Sequence, residues 1–294
     1  MPATIRPATI ADLPELYDIW YASEVGDDPH PPPRGAASVI LHELETGEVC
    51  AAEQAGQVVG FAAMVTRDGV VFVAECFVRA DCQSAGVGRR LLQQLLPRDG
   101  RTCCTLSSRD PRALALYIRA GMRPQWPNFC LRAEASRLGS LPAAGVEVVE
   151  GHPGDPALLH WDAAIGGRLR PQEHDYWVAQ TRAVPLWFRR AGQTVGYGYA
   201  QLRSPEDLWF PDAITLGPIG AETDEDALAC VGAAVGWARP RAQALKITVP
   251  GPHVVLPALL DAHFQITYVE TFVSSSDEPF ADARHYIPSG STLF

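Results

Sequence analysis

Gln83-Ser84-Ala85-Gly86-Val87-Gly88-Arg89-Arg90 sets two glycines and two arginines at the start of a helical pattern, a combination suited to holding a pyrophosphate. Backbone N–H groups at a helix N-terminus have no intrahelical partner, and glycine lets a phosphate approach the main chain without a Cβ in the way. Arg89 and Arg90 add positive charge beside it. A Gly-x-Gly pair alone occurs in many turns, so its meaning rests on the flanking elements.

Those elements can be read from the residue pattern. Val70 to Val78 is β-branched and aromatic and predicts a strand, while Val87, Leu91, Leu92, Leu95 and Leu96 fall on one helix face. Arg101 to Ser107 reads as another strand. A helix follows, with Asp110 as N-cap, Pro111 at the first helical position and Gly121 just past the end. Earlier, Ile5 opens a short strand, and Thr9 with Asp12 caps a helix through about Tyr21. The prolines between Asp27 and Gly35 exclude helix there and predict an exposed loop. After a second helix comes a meander of Val49 to Glu53, Val58 to Thr66 and Val70 to Val78, with turns at Ala55-Gly56 and Asp68-Gly69.

Gln-x-x-Gly-x-Gly after a strand ending in Val78 resembles the acyl-CoA signature of the GNAT superfamily of N-acyltransferases. The run Asp110 to Met122, with Tyr117 and a terminal Gly-Met, resembles the family's second signature. The resemblance implies an acetyl-CoA-dependent N-acetyltransferase in which an amine attacks the thioester directly in a ternary complex. Gln83, Ser84, Ala85, Gly86, Val87, Gly88, Arg89 and Arg90 would hold the cofactor's pyrophosphate. A backbone N–H near Phe77 or Val78 would polarise the carbonyl, and Tyr117 would protonate the leaving thiolate. A phenol with a reference pKa of ~10 is protonated at neutral pH and suits that role. Many relatives carry asparagine where this chain has Asp110, which can only accept, either from the helix or from a cofactor amide.

Glu75 is the only carboxylate in an otherwise apolar strand leading into the cradle, and is the candidate general base. Strict alternation turns it to the solvent face opposite the site. A bulge of the kind the family often has would reverse that facing. Trp20, Tyr21, His30, Trp126 and Phe129 are candidate linings for the acyl acceptor.

The 294 residues suit two domains of average size, and 47% hydrophobic with 20% charged residues suits a buried core. A net charge of −10 argues against nucleic acid or an anionic membrane surface as partner and favours cationic amines, whether small molecules or peptides. The sequence leaves open a homodimer. Lys246 is the only lysine, so self-acylation on lysine has almost no target. Seven cysteines without Cys-x-x-Cys spacing read as free thiols in a reducing compartment. With no apolar leader and no stretch approaching the ~18 apolar residues of a membrane span, a cytoplasmic protein is expected.

Past Arg137, residues 138–145 read as a linker, and the pattern restarts. Gly56-Gln57-Val58-Val59-Gly60-Phe61 recurs as Gly192-Gln193-Thr194-Val195-Gly196-Tyr197. Val146 to Val149 and Asp155-Pro156 repeat the first strand and a helix start. The expected fold is therefore α/β (α+β): two tandem GNAT-like domains, residues 1–137 and 146–294, each a mixed, mostly antiparallel twisted sheet flanked by helices. The second copy lacks the chemistry. Its counterpart of the glycine loop is Gly220-Ala221-Glu222-Thr223-Asp224-Glu225-Asp226, whose carboxylates would repel a pyrophosphate, and Leu259 falls where Tyr117 stands.

The scattered histidines and the lack of a cysteine cluster beyond Cys103-Cys104 give no structural zinc site, so no metal is expected. Gly-x-Ser-x-Gly, Walker A and full Gly-x-Gly-x-x-Gly sequences are absent, which places hydrolase, phosphoryl-transfer and dinucleotide chemistry lower. Two alternatives stand: a non-catalytic acyl-CoA sensor or scaffold, and a relative of the tandem mycothiol synthases, whose active copy is the carboxy-terminal one.

Overall fold

The computed structural model describes residues 3–204, 207–291 and 293–294. Two compact units divide the chain: Met1–Pro124 with Pro205–Trp209 and Val273–Ser276, and Gln125–Ser204 with Phe210–Phe272 and Asp277–Phe294.

The first unit contains β1 (Thr4–Pro7), α1 (Leu13–Val25), α2 (Ser38–Thr46), β2 (Glu48–Gln54), β3 (Gln57–Arg67), β4 (Val70–Val78), α3 (Val87–Leu95), β5 (Cys103–Ser107) and α4 (Pro111–Arg119). Its strands lie in the order β1-β2-β3-β4-β5, antiparallel except for β4 with β5. Both hairpins turn on residue pairs with positive φ, Ala55-Gly56 at 51° and 79° and Asp68-Gly69 at 50° and 82°, the geometry that matches strand twist. On one sheet face, Val87, Leu91, Leu92 and Leu95 of α3 pack with Ala62, Val71, Val73 and Tyr117. Burying each of those α3 side chains contributes about 1.5–3 kcal/mol, which fixes the glycine loop ahead of the helix. Val273–Ser276 belongs here as well: the Ser275 N–H donates to the Cys103 carbonyl at 2.8 Å.

The second unit takes up β6 (Arg123–Glu134) from Gln125 onward, then β7 (Val146–Glu150), α5 (Pro156–Gly166), α6 (Pro171–Gln180), β8 (Val184–Arg190), β9 (Gln193–Gln201), β10 (Ile214–Ala221), α7 (Asp224–Ala238), β11 (Ala244–Pro250), α8 (Leu256–Asp261), β12 (Gln265–Ser274) and β13 (Tyr286–Ile287). Its strands run β12-β6-β11-β10-β9-β8-β7, and β13 pairs with β10. Residues 125–137 pack in this unit because β6 pairs antiparallel with β11 from Asn128 to Glu134. The units are thus discontinuous in sequence, where the linker at 138–145 would give a simple split. The mostly antiparallel α/β architecture matches the sequence expectation.

Candidate functional site

The site is organised by one extra residue in β4. Ala63 pairs with Glu75 but Met64 pairs with Val73, so Ala74 is a bulge. A bulge shifts side-chain alternation by one. Val71 and Val73 before it and Cys76 and Val78 after it therefore face the α3 core, whereas Phe72, Glu75 and Phe77 face the other way. The Phe61 and Phe77 rings, 5.9 Å apart on paired residues, share that second face. Glu75 is 5% exposed, so the solvent-facing position that strict alternation predicts is not the one adopted.

The same bulge opens the sheet. β4 and β5 pair at Val71 and Phe72, and the Thr105 hydroxyl donates to the Val73 carbonyl at 2.7 Å; beyond that the ladder stops. The Arg79 N–H donates to Val59 of β3 at 2.9 Å, so alternation points the Phe77 amide at β3 and those of Cys76 and Val78 at the parting of the strands. Gln83 Nε2 donates to the Val78 carbonyl at 3.0 Å and ties the loop to this edge. Of Phe77 and Val78, the amide that faces the parting is that of Val78.

The loop has the shape its sequence suggests. Ser84 and Gly86 have φ of 62° and 80°, Gly86 is the N-cap of α3, and Ser84, Ala85, Gly86, Arg89 and Arg90 are exposed while Val87 is buried. The first α3 bond runs from the Arg90 N–H to the Gly86 carbonyl at 3.2 Å, leaving the N–H groups before it for a ligand. The glycines have different tasks. A Cβ at Gly86 would meet nothing within 4 Å, whereas at Gly88 it would lie 3.3 Å from Leu116, so Gly88 lets α3 approach α4.

Asp110 caps α4, accepting from the Arg112 N–H at 2.8 Å, and both its oxygens are engaged by the Arg112 guanidinium. That accounts for Asp110 as a cap. Four residues before Gly121, Tyr117 is 6% exposed. Burial pushes its phenol well above the ordinary value, and the nearby Glu75 charge adds to this; the Thr105 hydroxyl is its hydrogen-bonding neighbour. The Thr105 contact opposes the effect of burial on the phenol but does not outweigh it. Thr105 has no motif of its own and could be found only from the structure. Cys76 is pushed up to about 12 by burial and the Glu75 charge, so it is a neutral thiol and a poor nucleophile at neutral pH.

The proline loop is pinned to α1. Tyr21 donates to the Pro32 carbonyl at 2.6 Å, Tyr17 to that of Gly35 at 3.0 Å, and Arg34 lies 4.8 Å from the Tyr21 ring centre. Trp20 is buried and stacks on Tyr17 at 5.4 Å, and His30 is exposed. Trp126 and Phe129 belong to the second unit, where Trp126 stacks on Phe272 at 4.5 Å.

Bond for bond, the second unit repeats the end of α4. Met122 donates to Tyr117 at 3.1 Å and Phe264 to Leu259 at 3.0 Å; Gly121 and His263 both take positive φ, 98° and 71°. Leu259 is the positional equivalent of Tyr117. β10 also bulges, between Leu216 and Ile219, and pairs with β11 only from Ile214 to Leu216. At the N-terminus of α7, Asp224 pairs with Arg284 and His285 at 2.5 and 2.6 Å, and Asp226 with Arg190 at 2.6 Å. The helix end that would meet a phosphate is capped by the Thr223 hydroxyl, which accepts from the Asp226 N–H at 3.1 Å, and carries carboxylates that would repel one. Among the described residues no group of three or more His, Cys, Asp or Glu is placed to hold a metal ion, and no helix is long and apolar enough to cross a membrane.

A sheet parted at a bulge, a glycine loop opening a helix beside the parting and a buried tyrosine next to it define the acetyltransferase (GNAT) domain, whose family model matches residues 45–123. The family match lies in the first unit, and the chain as a whole shares its fold with solved GNAT proteins, a tandem one among them. A protein from Pyrococcus horikoshii solved as a candidate acetyltransferase superposes with a TM-score of 0.76 at 17% identity, covering 100% of this chain and 96% of its own. A tandem GNAT protein from the clavulanic acid biosynthesis pathway gives 0.65 at 14% identity, covering 94% and 100%. A GCN5-related N-acetyltransferase from Sphaerobacter thermophilus gives 0.61 at 15%, covering 95% and 96%. At these identities the likeness is one of fold. Comparison with curated proteins found no match.

Proposed function

We propose that the first unit is an acetyl-CoA-dependent N-acetyltransferase acting on a primary amine of a small molecule or peptide, and that the second copy has lost acyl-CoA binding. The observation that carries this reading is the parting of β4 from β5 beside the exposed loop of α3. The residues fit a CoA pyrophosphate: unpaired first-turn N–H groups, open space at the Gly86 Cα, and Arg89 and Arg90 at hand. Bound there, the cofactor would supply the thioester acyl group.

The chain's own groups divide the remaining work. The Val78 N–H, aimed at the parting, stabilises negative charge on the acyl oxygen. Tyr117, kept protonated by burial, gives its proton to the departing sulfur. Glu75, on the opposite side of the bulge, takes the proton from the ammonium form of the amine, through water if the distance requires it. The net charge of −10 favours approach by cationic acceptors. A cytoplasmic location fits the free cysteines.

Gly86→Asp tests the cradle without disturbing packing. Aspartate tolerates the left-handed conformation better than most residues, and its Cβ meets nothing. Acetyl-CoA affinity should fall at least about tenfold with little change in thermal midpoint. Unchanged affinity would remove the loop from the site. Turnover of acetyl-CoA with an amine panel separates the enzyme from a sensor, which would bind and release the cofactor intact.

A further inference from the structure

In the second unit, the place where β10 leaves β11 is filled by the chain's own last segment. Past the bulge, Ile219 and Gly220 of β10 pair with Ile287 and Tyr286 of β13. The buried Gln201 amide donates to the carbonyls of Gly217 and Ser289 at 2.9 and 2.7 Å, bridging the groove wall and the segment. Gly217 has φ of 149°, and a side chain there would run into the Pro288 carbonyl, so the wall is shaped to the segment's path.

The segment ends in a polar grip inside an aromatic pocket. The main-chain oxygen of Phe294 accepts from Arg168 and, at 2.8 Å, from Arg170. Both arginines are buried, at 3% and 1% exposure. Arg170 is held by Asp162 through bonds of 2.7 and 2.8 Å and by the Tyr286 hydroxyl. The Phe294 ring stacks on Phe272 at 5.1 Å and meets Phe280 edge-on at 6.1 Å. Strand pairing for affinity, with a pocket and fixed donors for selectivity, is the physics of peptide capture by strand addition.

We propose that this groove is a binding site for an extended polypeptide segment that seats an aromatic side chain beside Phe272 and Phe280, which residues 286–291 and 293–294 fill in cis. The matching place in the first unit is the parting of β4 and β5, so duplication would leave the second copy a groove that its acidic α7 N-terminus bars to phosphate and that a peptide can use. The groove and every contact in it belong to the second unit, and none of them takes part in the proposed acetyl transfer.

Inserting a protease recognition sequence into the exposed Asp277–Pro279 stretch and cleaving the folded protein leaves the tail as a separate fragment. A fluorescent peptide with the sequence of residues 286–294 is then added in excess and followed by anisotropy. The proposal expects uptake to one peptide per chain, with a Phe294→Ala peptide competing at least about tenfold more weakly. The uncut chain should take up none. An Arg168→Gln variant, cut in the same way, should take up the peptide more weakly while the first unit's affinity for acetyl-CoA is unchanged. Failure of the cut protein to take up peptide, or equal competition by the Phe294→Ala peptide, would overturn the proposal.

Discussion

Tyr117→Phe is expected to lower the rate of acetyl transfer by about 10²–10⁴-fold, the range over which a positioned general acid acts. Acetyl-CoA affinity should barely change, because the lost hydroxyl matters to the leaving sulfur and not to the pyrophosphate. Phenylalanine keeps the ring that packs with α3 and leaves out only the O–H, with Thr105 still satisfied through Val73. Because burial raises the phenol, the wild-type acid form persists as pH rises, and its loss should not limit turnover below about pH 10. Steady-state thiol release, read beside calorimetric binding, checks both halves. Equal rates in the two proteins would discard Tyr117 as the acid.

Asp162→Asn is expected to destabilise the second unit by about 3–5 kcal/mol, since it leaves the buried Arg170 guanidinium without its counter-charge. Asp162 also accepts from Tyr197 at 2.5 Å and meets His174 at 3.1 Å, so one substitution disturbs the whole cluster. Burial alone would raise its carboxyl pKa, but Arg170 and the hydrogen bonds from Arg170 and His174 hold it well below the usual carboxylate range. A group whose folded pKa is depressed stabilises above its unfolded pKa of ~3.9 and loses that contribution as pH falls further. The gap between wild type and variant should therefore be full at neutral pH and narrow only below about pH 4. Urea unfolding followed by tryptophan fluorescence measures it. A gap under about 1 kcal/mol at neutral pH would show that the cluster is not what holds this unit together.

What could be read from the sequence was whatever is written locally. The Asp110 cap, the Gly121 stop, the two hairpin turns and the glycine loop each depend on a residue type at a fixed place, and each appears where the pattern puts it. The repeat was legible for the same reason, through the shared hairpin and the equivalence of Leu259 to Tyr117. Non-local choices were not. Val70 to Val78 is apolar on nearly every residue, so nothing in it marks Ala74 as the bulge that buries Glu75 and frees the Val78 amide.

The glycine pair looked uniform in sequence, yet Gly88 answers to Leu116 on another helix. Asp162, Arg168 and Arg170 belong to no motif, and only the fold buries them around a segment more than a hundred residues away.

The central claim is that one of two related folds holds acyl-CoA and the other does not. Calorimetric titration of the purified chain with acetyl-CoA tests it most directly. The account predicts one site per chain, lost in the Gly86→Asp variant and kept in Tyr117→Phe. Two sites per chain, or one that survives Gly86→Asp, would contradict it.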